Sequence, residues 1–421
     1  MRMLCILTFI IFSYQVQAKQ LRTDVSVPIA VLINGETGAI LFEKNGHLVT
    51  QPASITKIVT ALYALERKGD DLDVPIVASQ DAVSAVPEKV RMANPLKYPP
   101  YRLEVGGTHI GIKVGEVLTF RTLLYGLMLS SGNDAANVIA EYVSGNIGKF
   151  SQEMNAFLKK NGITTTTLYN AHGLPYPNHV TTAYEMAKIS ALAMRNPLFR
   201  QIVKTVRYTR PQTNKQPESY LLQSNRLLRS GPSFYPKAIG IKTGYSSVVG
   251  SNLVAAAEHE GRVLIAVLLN AQDKYQRYRD TIALFEAAFQ EVKTTRILFT
   301  KQYDHFSVPI KGGSIPLEAA LSEDLKIEYY PAEEPNFKTV LHWNKPQMPI
   351  LKDQLVGEVR VISDANRMIK VAPIYATRDV PKTTCFRLKE IFSNKITLLT
   401  LLMLFFTGSI FLVTRKKSAS E

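Results

Sequence analysis

Pro52-Ala53-Ser54-Ile55-Thr56-Lys57-Ile58-Val59-Thr60 sets a serine three residues ahead of a lysine, at the head of an apolar run that continues through Ala61, Leu62, Tyr63, Ala64 and Leu65. Residues three apart on a helix share a face, so a helix starting near Ser54 puts Lys57 beside its hydroxyl, one turn deeper. A hydroxyl becomes a useful nucleophile once a neighbouring base takes its proton. Lysine serves as that base when burial or a second cation lowers its pKa. The helix N-terminus adds unpaired backbone N–H groups and a positive dipole end, which suit a developing oxyanion. Taken alone, the stretch equally describes an ordinary helix start with a serine cap and an exposed lysine. The rest of the chain decides.

The chain has 421 residues, room for two domains and a large core. Its 46% apolar content excludes a disordered chain. The net charge of +15 favours anionic partners such as cell-wall polymer or lipid headgroups. No basic-aromatic motif supports nucleic acid, and none is expected as a partner.

Residues 1–18 read as an export signal: Arg2, an apolar stretch over 4–12, and the small-residue site Val16-Gln17-Ala18. Cys5 would leave with it. Cys385 then stands alone, so no internal disulfide forms, as in an envelope protein that relies on its core. Residues 396–414 carry no charge. At about 1.5 Å per residue they nearly match a bilayer core of about 30 Å. Arg415-Lys416-Lys417 follow as a cytoplasmic stop. The expectation is a single-pass protein of the bacterial plasma membrane, with its body on the extracytoplasmic (periplasmic) face and 415–421 inside.

Within the body, residues 28–42 alternate around Asn34-Gly35-Glu36-Thr37-Gly38, a strand-turn-strand pattern. Residues 79–111 are rich in Pro, Gly and charge and read as a long irregular region. Helical runs over 120–128 and from Val138 flank a polar loop, Ser131-Gly132-Asn133. Helix 150–160 ends at Asn161-Gly162, and Thr181 with Glu185 caps another helix to Met194. His172 and His179 have no carboxylate or cysteine cluster beside them, so no metal and no cofactor is expected. Lys242-Thr243-Gly244 lies on a strand, two further strands flank Glu260-Gly261, and a helix over 278–289 closes the unit. This order predicts an α+β fold, an antiparallel sheet with helices packed on it.

Three motifs now stand in order: Ser54-Ile55-Thr56-Lys57, Ser131-Gly132-Asn133 and Lys242-Thr243-Gly244. With the flanking stretches 53–60, 170–175, 224–228 and 240–254, the chain resembles the low-molecular-mass penicillin-binding proteins, the D-alanyl-D-alanine carboxypeptidases. The resemblance covers roughly 25–290 and implies a β-lactamase/transpeptidase-like domain over 24–292. It implies that Ser54 attacks the carbonyl between two terminal D-alanines of a peptidoglycan stem peptide and forms an acyl-enzyme. Lys57 would accept its proton, Ser131 would pass a proton to the leaving amine, and Asn133 would hold the substrate amide. Lys242 and Thr243 would receive the substrate carboxylate, and Lys242 would keep Lys57 partly neutral. The N–H groups of Ser54 and Tyr245, beyond Gly244, would form the oxyanion hole. Arg277 aligns loosely with a carboxylate-contacting arginine, against its reading as a surface residue. β-Lactam antibiotics would acylate the same serine.

Tyr245 departs from the family, where histidine often follows Lys-Thr-Gly. Two rivals remain: a class A β-lactamase, whose Glu-x-x-Leu-Asn loop has no glutamate to match it over 164–170, and a wall-binding scaffold, which the intact Ser54, Lys57 and Lys242 oppose. Endopeptidase and transpeptidase activity share the same acyl-enzyme and stay open. Beyond the catalytic domain, 298–376 reads as a small all-β domain and 377–395 as a basic linker to the membrane helix.

Overall fold

The computed structural model describes residues 8–14, 19–364, 366–393 and 403. They form two compact units, Ala18–Val292 with Pro331–Glu333, and the remainder.

The first unit is built on five antiparallel strands, β1 (Ile29–Asn34), β2 (Ile40–Lys44), β3 (Ala238–Ser246), β4 (Gly250–His259) and β5 (Arg262–Ala271), in the order β3-β4-β5-β1-β2. The β1–β2 turn forms because Asn34 Oδ1 accepts the N–H groups of Glu36 and Thr37, at 2.9 and 3.0 Å. Alternation splits the sheet between two cores. Ile29, Val31, Ile33, Ile265 and Val267 face one, shared with helices α1 (Thr56–Lys68), α2 (Phe120–Met128), α3 (Asn133–Ser144), α4 (Ile147–Lys160) and α5 (Ala183–Met194). Ala30, Leu32, Leu264, Ala266 and Leu268 face the other, against Leu284, Phe285 and Ala288 of α6 (Gln276–Phe289). Strand β3 ends the sheet, which leaves its Lys-Thr-Gly edge free to face the α1 side.

The expected α+β arrangement and element order are present. Several details differ. Ser54 precedes α1, in a 3₁₀ turn over Ala53–Ile55. The region 79–111 is not wholly irregular: it holds short helices Gln80–Val83 and Glu88–Ala93 and a parallel pair of two-residue strands. Thr182 caps α5 by accepting from Glu185 N, but the Glu185 carboxylate turns away to accept the N–H groups of Thr164, Thr165 and Thr166. That carboxylate serves a distant loop instead of closing a capping box.

The second unit carries a six-stranded sheet that includes Phe337–Trp343, Leu355–Ser363 and Met368–Ala376, in line with the expected β-domain. Two stretches carry secondary structure that the sequence reading did not give them. The export signal expected over 1–18 is described only at Thr8–Tyr14, and there it is a strand paired antiparallel with Phe337–Trp343. Its β-branched and aromatic composition suits pairing, and Phe337–Trp343 would otherwise end the sheet. The expected linker, 377–395, is described as far as Ser393: Ile350 and Val380 exchange backbone hydrogen bonds of 3.1 and 2.8 Å, and Thr384–Ser393 is a helix. Thr383 Oγ1 accepts from Phe386 N at its start, a cap that charge composition concealed. The membrane helix expected over 396–414 and the tail 415–421 lie outside the described residues, Met403 excepted. Among the described residues no helix is long and apolar enough to cross a membrane.

Candidate active site

The turn that carries Ser54 is held from three sides. Ala53 adopts a left-handed φ of 51°. Asn252 of β4 donates from Nδ2 to the carbonyls of Gln51 and Pro52, at 3.2 and 3.0 Å. Gly244 of β3 lies so close that a Cβ there would sit 3.2 Å from both Pro52 O and Ser54 N. From the third side, Gly173 presses on the Ala53 carbonyl. The Lys-Thr-Gly glycine is thus a clearance requirement: it lets the edge strand run against the N–H of Ser54.

Lys57 is fully buried. Its Nζ lies 3.0 Å from Ser54 Oγ, 2.7 Å from Asn133 Oδ1 and 2.6 Å from the His172 carbonyl oxygen. The last two groups only accept, so they use two N–H bonds. The third direction points at the Ser54 hydroxyl, which accepts from an ammonium and donates to a neutral amine. Burial, with the charge of Lys242, pushes the Lys57 pKa well below its ordinary value, while the Asp134 carboxylate opposes that fall. A lowered pKa together with this third contact is the geometry of a base aimed at Ser54.

Lys242 is also fully buried and donates to the Thr243 carbonyl at 3.0 Å. Burial, then the Arg277 guanidinium, lower its pKa to about 7. Thr243 Oγ1 is 3.0 Å from Ser224 Oγ. Ser131 takes a left-handed φ of 63° and is 8% exposed, in the turn between α2 and α3 where Asn133 begins its helix. Tyr245 is 70% exposed and pairs with Ser251 across β4, so its ring stands at the outer end of the β3 edge.

Arg277 is not a surface arginine. It is 8% exposed and donates to the carbonyls of Gly244 (3.1 Å) and Asn252 (2.7 Å). It braces the Lys-Thr-Gly strand from behind. Its Nε has no hydrogen-bond partner among the described residues.

The two histidines hold the surroundings of Thr56 and Lys57. Leu174 N donates to His172 Nδ1 at 3.1 Å, which leaves the Nε2 proton for the Tyr101 carbonyl at 3.2 Å. Tyr169 N donates to His179 Nδ1 at 3.1 Å, so His179 Nε2 donates to Thr56 Oγ1 at 3.0 Å. Burial lowers both pKa values, that of His179 to about 3, and both rings are neutral at pH 7. Sequence reading missed Asn252, Asp134 and these histidine roles, because each acts through contacts between residues far apart in the chain.

A sequence model described as D-alanyl-D-alanine carboxypeptidase matches residues 15–273. The D-alanyl-D-alanine carboxypeptidase DacF of Bacillus subtilis is 28% identical over 84% of this chain and 85% of its own length. A solved D-alanyl-D-alanine carboxypeptidase of Mycobacterium tuberculosis is 28% identical, with a TM-score of 0.55 over 65% of this chain and 94% of that one. Penicillin binding protein 6B of Escherichia coli, at 24% identity, shares the fold with a TM-score of 0.59 over 87% of this chain and 98% of that one.

Proposed function

We propose, since this chain belongs to the D-alanyl-D-alanine carboxypeptidase family, that it is a serine peptidase that removes the terminal D-alanine from peptidoglycan stem peptides. The observation that carries the reading is the Lys57 amine, fully buried and 3.0 Å from Ser54 Oγ. Ser54 Oγ bonds to the carbonyl carbon of the penultimate D-alanine as its proton passes to Lys57. The oxyanion is received by the N–H groups of Ser54 and Tyr245. The C–N bond then breaks as the proton held on Lys57 returns through the Ser131 hydroxyl to the departing D-alanine amine, which leaves both side chains as they began. Asn133 holds the substrate amide, and Lys242 with Thr243 holds the terminal carboxylate. Arg277 acts behind them, through the backbone of Gly244 and through its effect on Lys242. Water releases the shortened peptide. A β-lactam follows the same first step, its ring amide opening onto Ser54.

No metal or cofactor enters this chemistry. The uncharged run over 396–414, the Arg415-Lys416-Lys417 that follow it and the charge of +15 support an anchored enzyme that faces the wall.

The pH dependence tests the roles of the two lysines. Lys57 must be neutral to act, so kcat/KM rises with pH through its lowered pKa. Lys242 must be charged to attract a carboxylate, so kcat/KM falls as pH climbs past about 7. A bound carboxylate favours the charged amine, so the alkaline limb of kcat lies at higher pH than that of kcat/KM. D-alanine release from a peptide ending in D-Ala-D-Ala, followed against pH, checks this. A kcat/KM still rising at pH 10 would remove Lys242 from the carboxylate site.

A further inference from the structure

The site's cations differ from the other buried ones. Arg91, Arg210 and Arg262 each pair directly with a carboxylate. Lys57, Lys242 and Arg277 donate only to hydroxyl, amide and carbonyl oxygens among the described residues. The acidic group that acts on Lys57 is Asp134, next in sequence to Asn133 and 3% exposed.

Asp134 is engaged by backbone. Its Oδ1 accepts from Ile110 N (3.0 Å) and Ala135 N (2.9 Å), and its Oδ2 from Ile112 N (3.0 Å). These bonds lay the segment 107–112 along the start of α3. There Thr108 O accepts from Asn133 N at 2.8 Å. A Cβ on Gly107 would stand 3.3 Å from Asn133 Nδ2. Asn133 Oδ1 is in turn the acceptor 2.7 Å from Lys57 Nζ. The other charged groups around the segment are accounted for. Arg210 donates to Ile110 O and pairs with Glu116, and Glu104 pairs with Arg91. His109 Nε2 donates to Glu104 O, and its Nδ1 lies 4.0 Å from Asp134 Oδ1 without a hydrogen bond.

We propose that Asp134 is a positioning residue of the site: its carboxylate clamps the segment 107–112 against Asn133, aims Asn133 at Lys57, and supplies negative charge beside the buried Lys57 amine. The proposal rests on the reading of Lys57 as the base. The clamp needs both oxygens. An asparagine in its place accepts on one oxygen only and turns an N–H₂ toward a backbone N–H. The charge acts with a definite sign. A nearby negative charge favours the protonated amine, so its removal lowers the Lys57 pKa further and extends activity to lower pH.

The test uses the full chain with Asp134→Asn. Expected is a plateau kcat lower by about 10-fold with KM within about twofold, since the substrate's other contacts remain. The acid limb of kcat/KM moves down by about half a pH unit or more. Hydrogen exchange at the Ile110 and Ile112 amides accelerates. His109→Lys, on a partly exposed side chain, covers the case in which the first variant does not fold. Its ammonium beside Asp134 moves the acid limb the same way and leaves those amides protected. Limbs that superimpose on the parent's in the folded variants overturn the electrostatic role, and unchanged amide exchange in Asp134→Asn overturns the clamp. A parent that releases no D-alanine refutes the proposed function instead, while the exchange result still judges the clamp.

Discussion

Lys57→Met is expected to slow acylation of Ser54, by a D-Ala-D-Ala peptide and by a β-lactam alike, by about a hundredfold to ten-thousandfold, the range for loss of a general base. Methionine fills nearly the same volume but can neither take a proton nor donate to its neighbours. The Ser54 hydroxyl then keeps its ordinary weak nucleophilicity. Binding is touched less if Lys242 and Thr243 receive the carboxylate as proposed, so the loss is expected on kcat. Stability has opposing contributions. Asn133 Oδ1 and the His172 carbonyl each lose a donor, at about 1–3 kcal/mol apiece. Against that, a fully buried amine and its desolvation cost disappear. The acylation rate with a fluorescent penicillin, beside a thermal melt, separates the two. A folded variant that acylates within tenfold of the parent would deny Lys57 the role of base.

The second large effect comes from a residue outside the three motifs. Gly173→Ala places a Cβ 2.0 Å from Ala53 O and 2.9 Å from Thr56 Oγ1, at a φ of +90° that L-residues rarely adopt. The first clash is with backbone, which cannot rotate away. Either the loop at 170–174 moves or the Ser54 turn does. The loop is fixed: Gly173 N donates to Asn170 Oδ1 at 2.7 Å, and Thr60 Oγ1 donates to Ala171 O at 2.6 Å. The His172 carbonyl next to Gly173 is also the acceptor 2.6 Å from Lys57. A destabilisation above about 3 kcal/mol is expected, with acylation falling even where the chain still folds. Denaturant unfolding and penicillin labelling check this. A variant as stable and as reactive as the parent would show that the contact yields freely.

The three motifs were legible because each is local: a serine and lysine one helical turn apart, a polar turn between helices, a strand bearing Lys-Thr-Gly. Period and order alone gave the antiparallel sheet and its helices. What escaped was set by contacts across the chain. Asn252 lies 200 residues from Pro52, whose carbonyl it holds. Arg277 stayed between two readings, a carboxylate contact and a surface residue, because nothing local showed that α6 turns it inward beneath Gly244. Glu185 matched a helix cap by spacing, yet its carboxylate is taken by three threonine amides about twenty residues earlier. The apolar N-terminal run answers equally to two descriptions, a leader and a strand, because both need the same residues. Its pairing along Thr8–Tyr14 depends on an edge that only the folded second unit provides.

The most direct test of the account is to treat the full chain with a penicillin, digest it, and locate the adduct by mass, with D-alanine release measured on the same preparation. The account predicts one adduct, on the peptide that carries Ser54, and loss of both adduct and release in Ser54→Ala. An adduct on another residue, or D-alanine release that survives Ser54→Ala, would contradict it.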